Sequence, residues 1–98
     1  MRAGVPSTLR IDGDHGLLAG DLTLDFTARL LTQGRRAIQT GMQHLDLSGV
    51  AHMDSSALSL LLGLRRHAQK HQRSLALHAV PASLQSLAKL YGVSELLN

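Results

Sequence analysis

The chain contains no cysteine and no tryptophan, and only one phenylalanine, one tyrosine and two prolines in 98 residues. Without thiols there is no disulfide scaffold, no Cys-based zinc site and no thiol nucleophile. With aromatics at 2%, the core must be built from Leu, Ala, Val and Ile. A groove that stacks nucleobases would have only Phe26 and Tyr91 to work with. No apolar run is long enough to span a bilayer. Met1-Arg2-Ala3-Gly4-Val5-Pro6 lacks the apolar stretch of a signal peptide, so the expectation is a cytosolic protein. Hydrophobic residues at 44% and charged residues at 17% describe a globular rather than a disordered chain. Its length suits one small domain, 1–98, with a single core. The formal charge of +3 is either ordinary solubilising charge or a mild attraction to an anionic membrane surface or nucleic acid.

Polar and apolar residues alternate from Ser7 to Asp12, as in a half-buried strand; Gly13-Asp14 signals a turn, and His15 to Gly20 reads as the return strand of a hairpin. From Asp21 the period becomes helical. Leu24, Ala28, Leu31 and Ile38, with Phe26 and Leu30 beside them, form the expected inner face, opposite Arg29, Gln33, Arg35, Arg36 and Gln39. Gly34 interrupts that helix at a modest cost in propensity, and Gly41 marks its stop. His44 to Ser48 is a short strand. Ser55 to Gln72 is the strongest helix. At about 100° per residue its apolar positions, Ala57, Leu58, Leu60, Leu61, Leu62, Leu64 and Ala68, cover roughly 200°. That is wider than a surface helix needs. Either this helix is enclosed by a sheet and two neighbours, or its edge, Leu60 included, is a partner surface. Ser74 to Val80 alternates as a strand, Pro81 opens a last helix that Gly92 ends, and Val93 to Leu97 should dock on the body. The order β-β-α-β-α-β-α predicts an α/β domain with a small mixed sheet covered on one side by helices.

Asp54-Ser55-Ser56 is the segment richest in chemistry. All three residue types are favoured at a helix N-cap, where a side-chain oxygen takes an orphan N–H. The same spot suits a phosphate acceptor, since free amides and the positive dipole end face it, although Asp54 would oppose added charge. It also suits docking of a partner. His67 and His71 lie one helical turn apart, as metal ligands do, but Ala68 stands where a metalloprotease has Glu, and no third ligand accompanies them. A solvated, cationic helix end is the better account of the pair, because His suits a helix C-terminus. No Gly-Lys-Ser/Thr phosphate loop and no Gly-x-Ser-x-Gly elbow occurs. No residue pattern points to catalysis, and no cofactor is expected.

Leu45 to Leu58 resembles the STAS domain family, which includes anti-sigma-factor antagonists and cytosolic domains of sulfate transporters. The family pattern is a hydrophobic strand ending Asp-Leu-Ser, here Asp46-Leu47-Ser48, then a loop to an Asp-Ser-Ser/Thr-Gly-Leu helix start, here Asp54-Ser55-Ser56-Ala57-Leu58. Leu87-Ala88-Lys89-Leu90-Tyr91-Gly92-Val93 and the Leu60-Leu61-Leu62 run are similar to the branch that serves phospholipid-transporting ABC complexes. That resemblance implies a non-enzymatic accessory subunit which binds the ABC ATPase subunit, and through it the permease, in maintaining lipid asymmetry. It places no nucleic acid among the partners, and allows contact with the anionic inner-membrane surface. Ser55 matches the position implicated in ATPase contact, and Ser56 the position phosphorylated in the antagonists. Ala57 departs from the glycine usual there, where the antagonists' kinase approaches closely. The contact surface expected from this is Asp54, Ser55, Ser56, Ser59, Leu60 and Gly63, edged by Arg66. The alternative the resemblance leaves is an antagonist switched by phosphorylation of Ser56.

Overall fold

A two-residue turn at Gly13-Asp14 starts the fold. Gly13 has φ 60°, and a positive φ at the first central position matches the twist of a tight hairpin. In the computed structural model, which describes residues 5–97, it joins β1 (Thr8–Asp12) to β2 (His15–Leu22) in antiparallel register from Thr8 opposite Ala19 to Asp12 opposite His15. Met1–Gly4, the start of the stretch read as lacking a leader, and Asn98 lie outside the described residues. The chain continues through α1 (Leu24–Gln39), β3 (His44–Met53), α2 (Ser56–Lys70), β4 (Ala76–His78), α3 (Ala82–Leu90) and a closing 3₁₀ turn (Ser94–Leu97). The strands lie in the order β1-β2-β3-β4, with β2–β3 and β3–β4 parallel. Two successive right-handed crossovers stepping in the same direction put α1 and α2 on one face of the sheet. This is the mixed, one-side-covered α/β architecture expected from the element order. Among the described residues no helix is long and apolar enough to cross a membrane.

Leu18 and Leu22 of β2, Leu45 and Leu47 of β3, and Leu30, Ile38, Leu61 and Leu64 of the helices make the core, each at most 2% exposed. Full burial of such a side chain contributes about 1.5–3 kcal/mol. Met42, Leu84 and Ala88 extend the cluster, and Leu97 docks the final turn on it, as the apolar tail predicted.

Three elements differ from the sequence reading. β3 does not stop at Ser48: Gly49 to Met53 stay extended and pair with β2 through two register shifts, between Leu17 and Ala19 and between Gly20 and Leu22. Each shift sets an extra residue against its partner strand, and this breaks the period-two alternation by which a strand is recognised. The Asp46 carboxylate braces the first shift by accepting the Ser48 amide at 2.8 Å. β4 is shorter than Ser74 to Val80 because Ala79 takes φ 56°, which ends the extended run.

The inner face of α1 is rotated from the one expected. Thr27, Leu30, Gly34, Ala37 and Ile38 are buried, while Leu24 is 74% exposed and Ala28 is exposed. Gly34 explains the rotation. A Cβ built there would lie 2.6 Å from Cδ2 of Leu64, so the apparent interruption is the point where α1 meets α2 most closely. On α2 the wide apolar arc is burial: Ala57, Leu58, Leu60, Leu61, Leu64 and Ala68 all face inward, against α1, α3 and the final turn. Leu60, expected on the contact surface, is 2% exposed. It belongs to the core because it shares the inward stripe with Ala57 and Leu64, three and four residues away.

Replacing Gly34 by Leu is expected to lower stability by about 1–3 kcal/mol, through overpacking against Leu64. Adding Leu64→Ala should recover part of that loss. Urea unfolding of the two single variants and the double variant measures the coupling.

Candidate functional site

The turn between β3 and α2 is held by one carboxylate. Asp54 Oδ2 accepts the Leu24 amide, the first of α1, at 3.0 Å. Its Oδ1 accepts the Ser56 amide, the first of α2, at 2.9 Å, and also the Ser56 hydroxyl proton. The Asp54 amide donates to the Leu22 carbonyl at 3.2 Å, which ties the turn to the end of β2. Two helix N-termini therefore share a single acceptor. Orphan amides and positive dipole ends both favour an anion at such a place. The Ser56 hydroxyl holds the Asp54 carboxyl below the usual carboxylate range. Partial burial works against this, and the Leu24 and Ser56 amides add to the lowering.

The capping expected of this cluster is thus done by Asp54 and not by the serines that follow. Ser55 stands at the N-cap position with φ −63° and ψ −19° and makes no side-chain cap bond. Its side chain is exposed, and Ser56 is half-buried. Both hydroxyls belong to an outward-facing turn that is fixed at its base. Ser59 is exposed one turn further on, and Arg66 lies on the same stripe, about 15 Å from the turn at 1.5 Å per residue. Gly63 is half-buried for another reason: it faces α1, where an added Cβ would meet Leu31 Cδ1 at 3.1 Å. The structure therefore brings Asp54, Ser55, Ser56 and Ser59 together, sets Gly63 against α1 and Arg66 at a distance, and removes Leu60 to the core.

Leu24 was assigned to the inner face of α1, yet its amide is the one bound by Asp54 and its side chain is 74% exposed. An exposed apolar residue thus begins α1, its amide on the same carboxylate that holds the Ser56 amide. Periodicity could not place it there, because spacing does not register where a helix begins beyond the edge of the layer it covers.

The histidines make no centre of their own. His67 and His71 have ring centroids 4.4 Å apart, and His67 contacts Gln39 across the helix pair at 3.4 Å. Partial burial, followed by the charges of His71, Arg35 and Lys70, lowers the His67 pKa. A row the sequence did not reveal crosses the open face of the sheet. His15 stacks on His44 at 4.4 Å and His44 on His78 at 5.2 Å, with Asp14 bonded to His15 at 2.7 Å. Its members come from three strands, and only the pairing of His15 with His44 and of His78 with Asp46 brings them together. Among the described residues no group of three or more His, Asp or Glu is arranged to hold a metal ion.

Comparison with known proteins places these features in a family. The family profile described as "Mlab, STAS domain" matches residues 3–98. The intermembrane phospholipid transport system binding protein MlaB of Escherichia coli K12 is 35% identical over 81 residues, covering 83% of this chain and 82% of that protein. The same protein from Shigella flexneri matches equally. Among solved structures, the anti-sigma factor antagonist SpoIIAA in its unphosphorylated form is 17% identical with a TM-score of 0.69, over 92% of this chain and 84% of that one. The phosphorylated Bacillus protein gives 0.68 at the same identity, over 92% of this chain and 86% of that one. These two share the fold.

Asp54→Ala is expected to lower stability by about 1–2 kcal/mol, as loss of a helix cap does. Because the folded state lowers the pKa of Asp54, its contribution is complete above the ordinary aspartate value, near 4, and is lost as pH falls through and below it. Thermal melts from pH 7 to pH 3 should therefore show a shallower acid-side decline for the Asp54→Asn variant than for the unaltered protein.

Proposed function

Because the chain belongs to the STAS domain family in its MlaB branch, we propose that it is a non-enzymatic accessory subunit of a phospholipid-transporting ABC complex. In this reading it binds the ATPase subunit on the cytoplasmic side of the inner membrane, supports assembly and activity, and touches the permease only indirectly. The observation that carries the proposal is the turn itself: exposed Ser55, half-buried Ser56 and exposed Leu24 stand on one carboxylate that fixes both helix starts. Small side chains there leave room for an incoming loop or helix, and the turn is ordered before the partner arrives, which reduces the entropy lost on binding. Leu24 supplies an apolar anchor of the kind that carries interface energy. Asp54 supports this surface from below, Ser59 extends it, and Gly63 and Arg66 flank it along α2. The site calls for no cofactor and no metal.

Regulation by phosphorylation of Ser56 is the second reading, and Ala57 in place of the usual glycine counts against it. The Ser56 hydroxyl donates to Asp54, but the antagonists' motif carries the same Asp two residues before the phosphorylated position, so this bond does not separate the two readings. Ala57 instead of glycine narrows the approach of a kinase.

A Ser55→Arg variant should retain its melting temperature and lose at least about tenfold of its co-purification with the cognate ABC ATPase, while Ser55→Ala keeps it. Binding of Ser55→Arg at full strength would show that the ATPase docks elsewhere. Intact mass after isolation from cells tests the second reading, which requires a phosphorylated fraction that disappears in Ser56→Ala.

A further inference from the structure

We propose that the groove between α2 and β4 receives an extended acidic peptide segment, which adds to the outer edge of β4. Three observations converge on it. The first is an open strand edge. Among the described residues β4 has β3 as its only neighbour in the sheet, and the Ala76 amide points inward, donating to the Gln43 carbonyl at 2.8 Å. By alternation, the N–H and C=O groups of Leu75 and Leu77 point away from the sheet, where they can pair with an added strand. The second is an apolar floor. A groove of about 630 Å³ runs along this edge over Leu62, Leu75, Leu77 and Leu96, and Leu96 is 53% exposed. The third is charge. Arg65, Arg66 and Arg73 line the groove against a single acidic residue, Glu95. Arg66 and Arg73 are exposed, and neither has an ion-pair partner among the described residues.

Together these features describe one kind of occupant. A strand laid along β4 would direct alternate side chains toward the groove and away from it. Apolar residues would meet the leucine floor, and carboxylates would meet the arginine rim, where charge-assisted and two-pronged hydrogen bonds are available. An anionic lipid headgroup would satisfy the arginines but would leave the outward amides of β4 unused, so the strand edge favours a peptide. The groove lies at the opposite end of α2 from the Ser55 turn, and the proposal does not depend on the ATPase reading.

The probe is a fluorescein-labelled octapeptide of alternating Glu and Leu, followed by anisotropy at low salt. Saturable binding is expected, and it should weaken at least tenfold in the Arg66→Glu/Arg73→Glu variant. It should weaken comparably when alternate peptide amides are N-methylated, because that removes strand pairing without touching charge. The Leu75 and Leu77 amides should gain protection from hydrogen exchange in the complex. Both arginines are exposed, so the variant is expected to fold, and its far-UV circular dichroism verifies this. Ser55→Arg should bind the peptide like the unaltered protein, which separates this surface from the turn. The proposal is overturned by no saturation up to about 1 mM peptide, or by equal binding of the Lys-Leu counterpart. It is also overturned by unchanged affinity of the N-methylated peptide, or by phosphatidylglycerol vesicles that sediment the protein through Arg66 and Arg73 while the peptide does not bind.

Discussion

A single carboxylate, that of Asp54, sets the geometry of the turn proposed as the contact surface. Each helix of an α/β layer starts with amides that its own turns cannot satisfy. Here two such starts meet at the same end of the sheet, and Asp54 accepts the first amide of both while its own amide anchors to the end of β2. The relative position of α1 and α2 at that end is therefore fixed by hydrogen bonds as well as by packing. Ser55 and Leu24 are consequently presented at a constant spacing. An exposed carboxylate in this role contributes only about a kilocalorie per mole or two to stability. Its larger effect is on order, because a recognition turn that is already formed loses less entropy when a partner binds.

The middle of the same helix pair is governed by steric approach. Gly34 admits Leu64 where any larger side chain would collide, so α1 and α2 close together along their middle turns. That contact lies on the buried face of α1, which excludes Leu24, and Leu60 lies on the buried face of α2. Both facts bear on the proposed contact surface. Packing in the core and presentation at the surface are thus two consequences of a single helix crossing, fixed at one end by Asp54 and in the middle by Gly34.

Element order, the hairpin at Gly13-Asp14, the one-sided helical cover and the Asp54-Ser55-Ser56 turn were all legible in the sequence. Each is written in a local signal: alternation, a turn dipeptide, a 3.6-residue period, or cap-forming residues. What was not legible depends on residues distant in the chain. The second half of β3 is disguised by two bulges that erase alternation at Gly49 to Met53. The role of Gly34 depends on Leu64, thirty positions away. The histidine row needs three strands in register. The capping role passed from the serines to Asp54 for the same reason, since the amide of Leu24 belongs to another helix. Local chemistry pointed to the turn, and tertiary pairing decided which of its atoms bonds to what.

The hydroxyl of Ser56 shows how that pairing constrains function. In an isolated turn it would be a free nucleophile beside open amides, well placed to receive a phosphate. With Asp54 already occupying both helix starts, the positive ends are neutralised by a resident anion, and the hydroxyl is committed as its donor. A phosphate added there would displace this bond and face the carboxylate that the surroundings keep charged. What remains outward is small, weakly polar and flanked by an exposed leucine. Such a surface fits the contact with another polypeptide proposed for it.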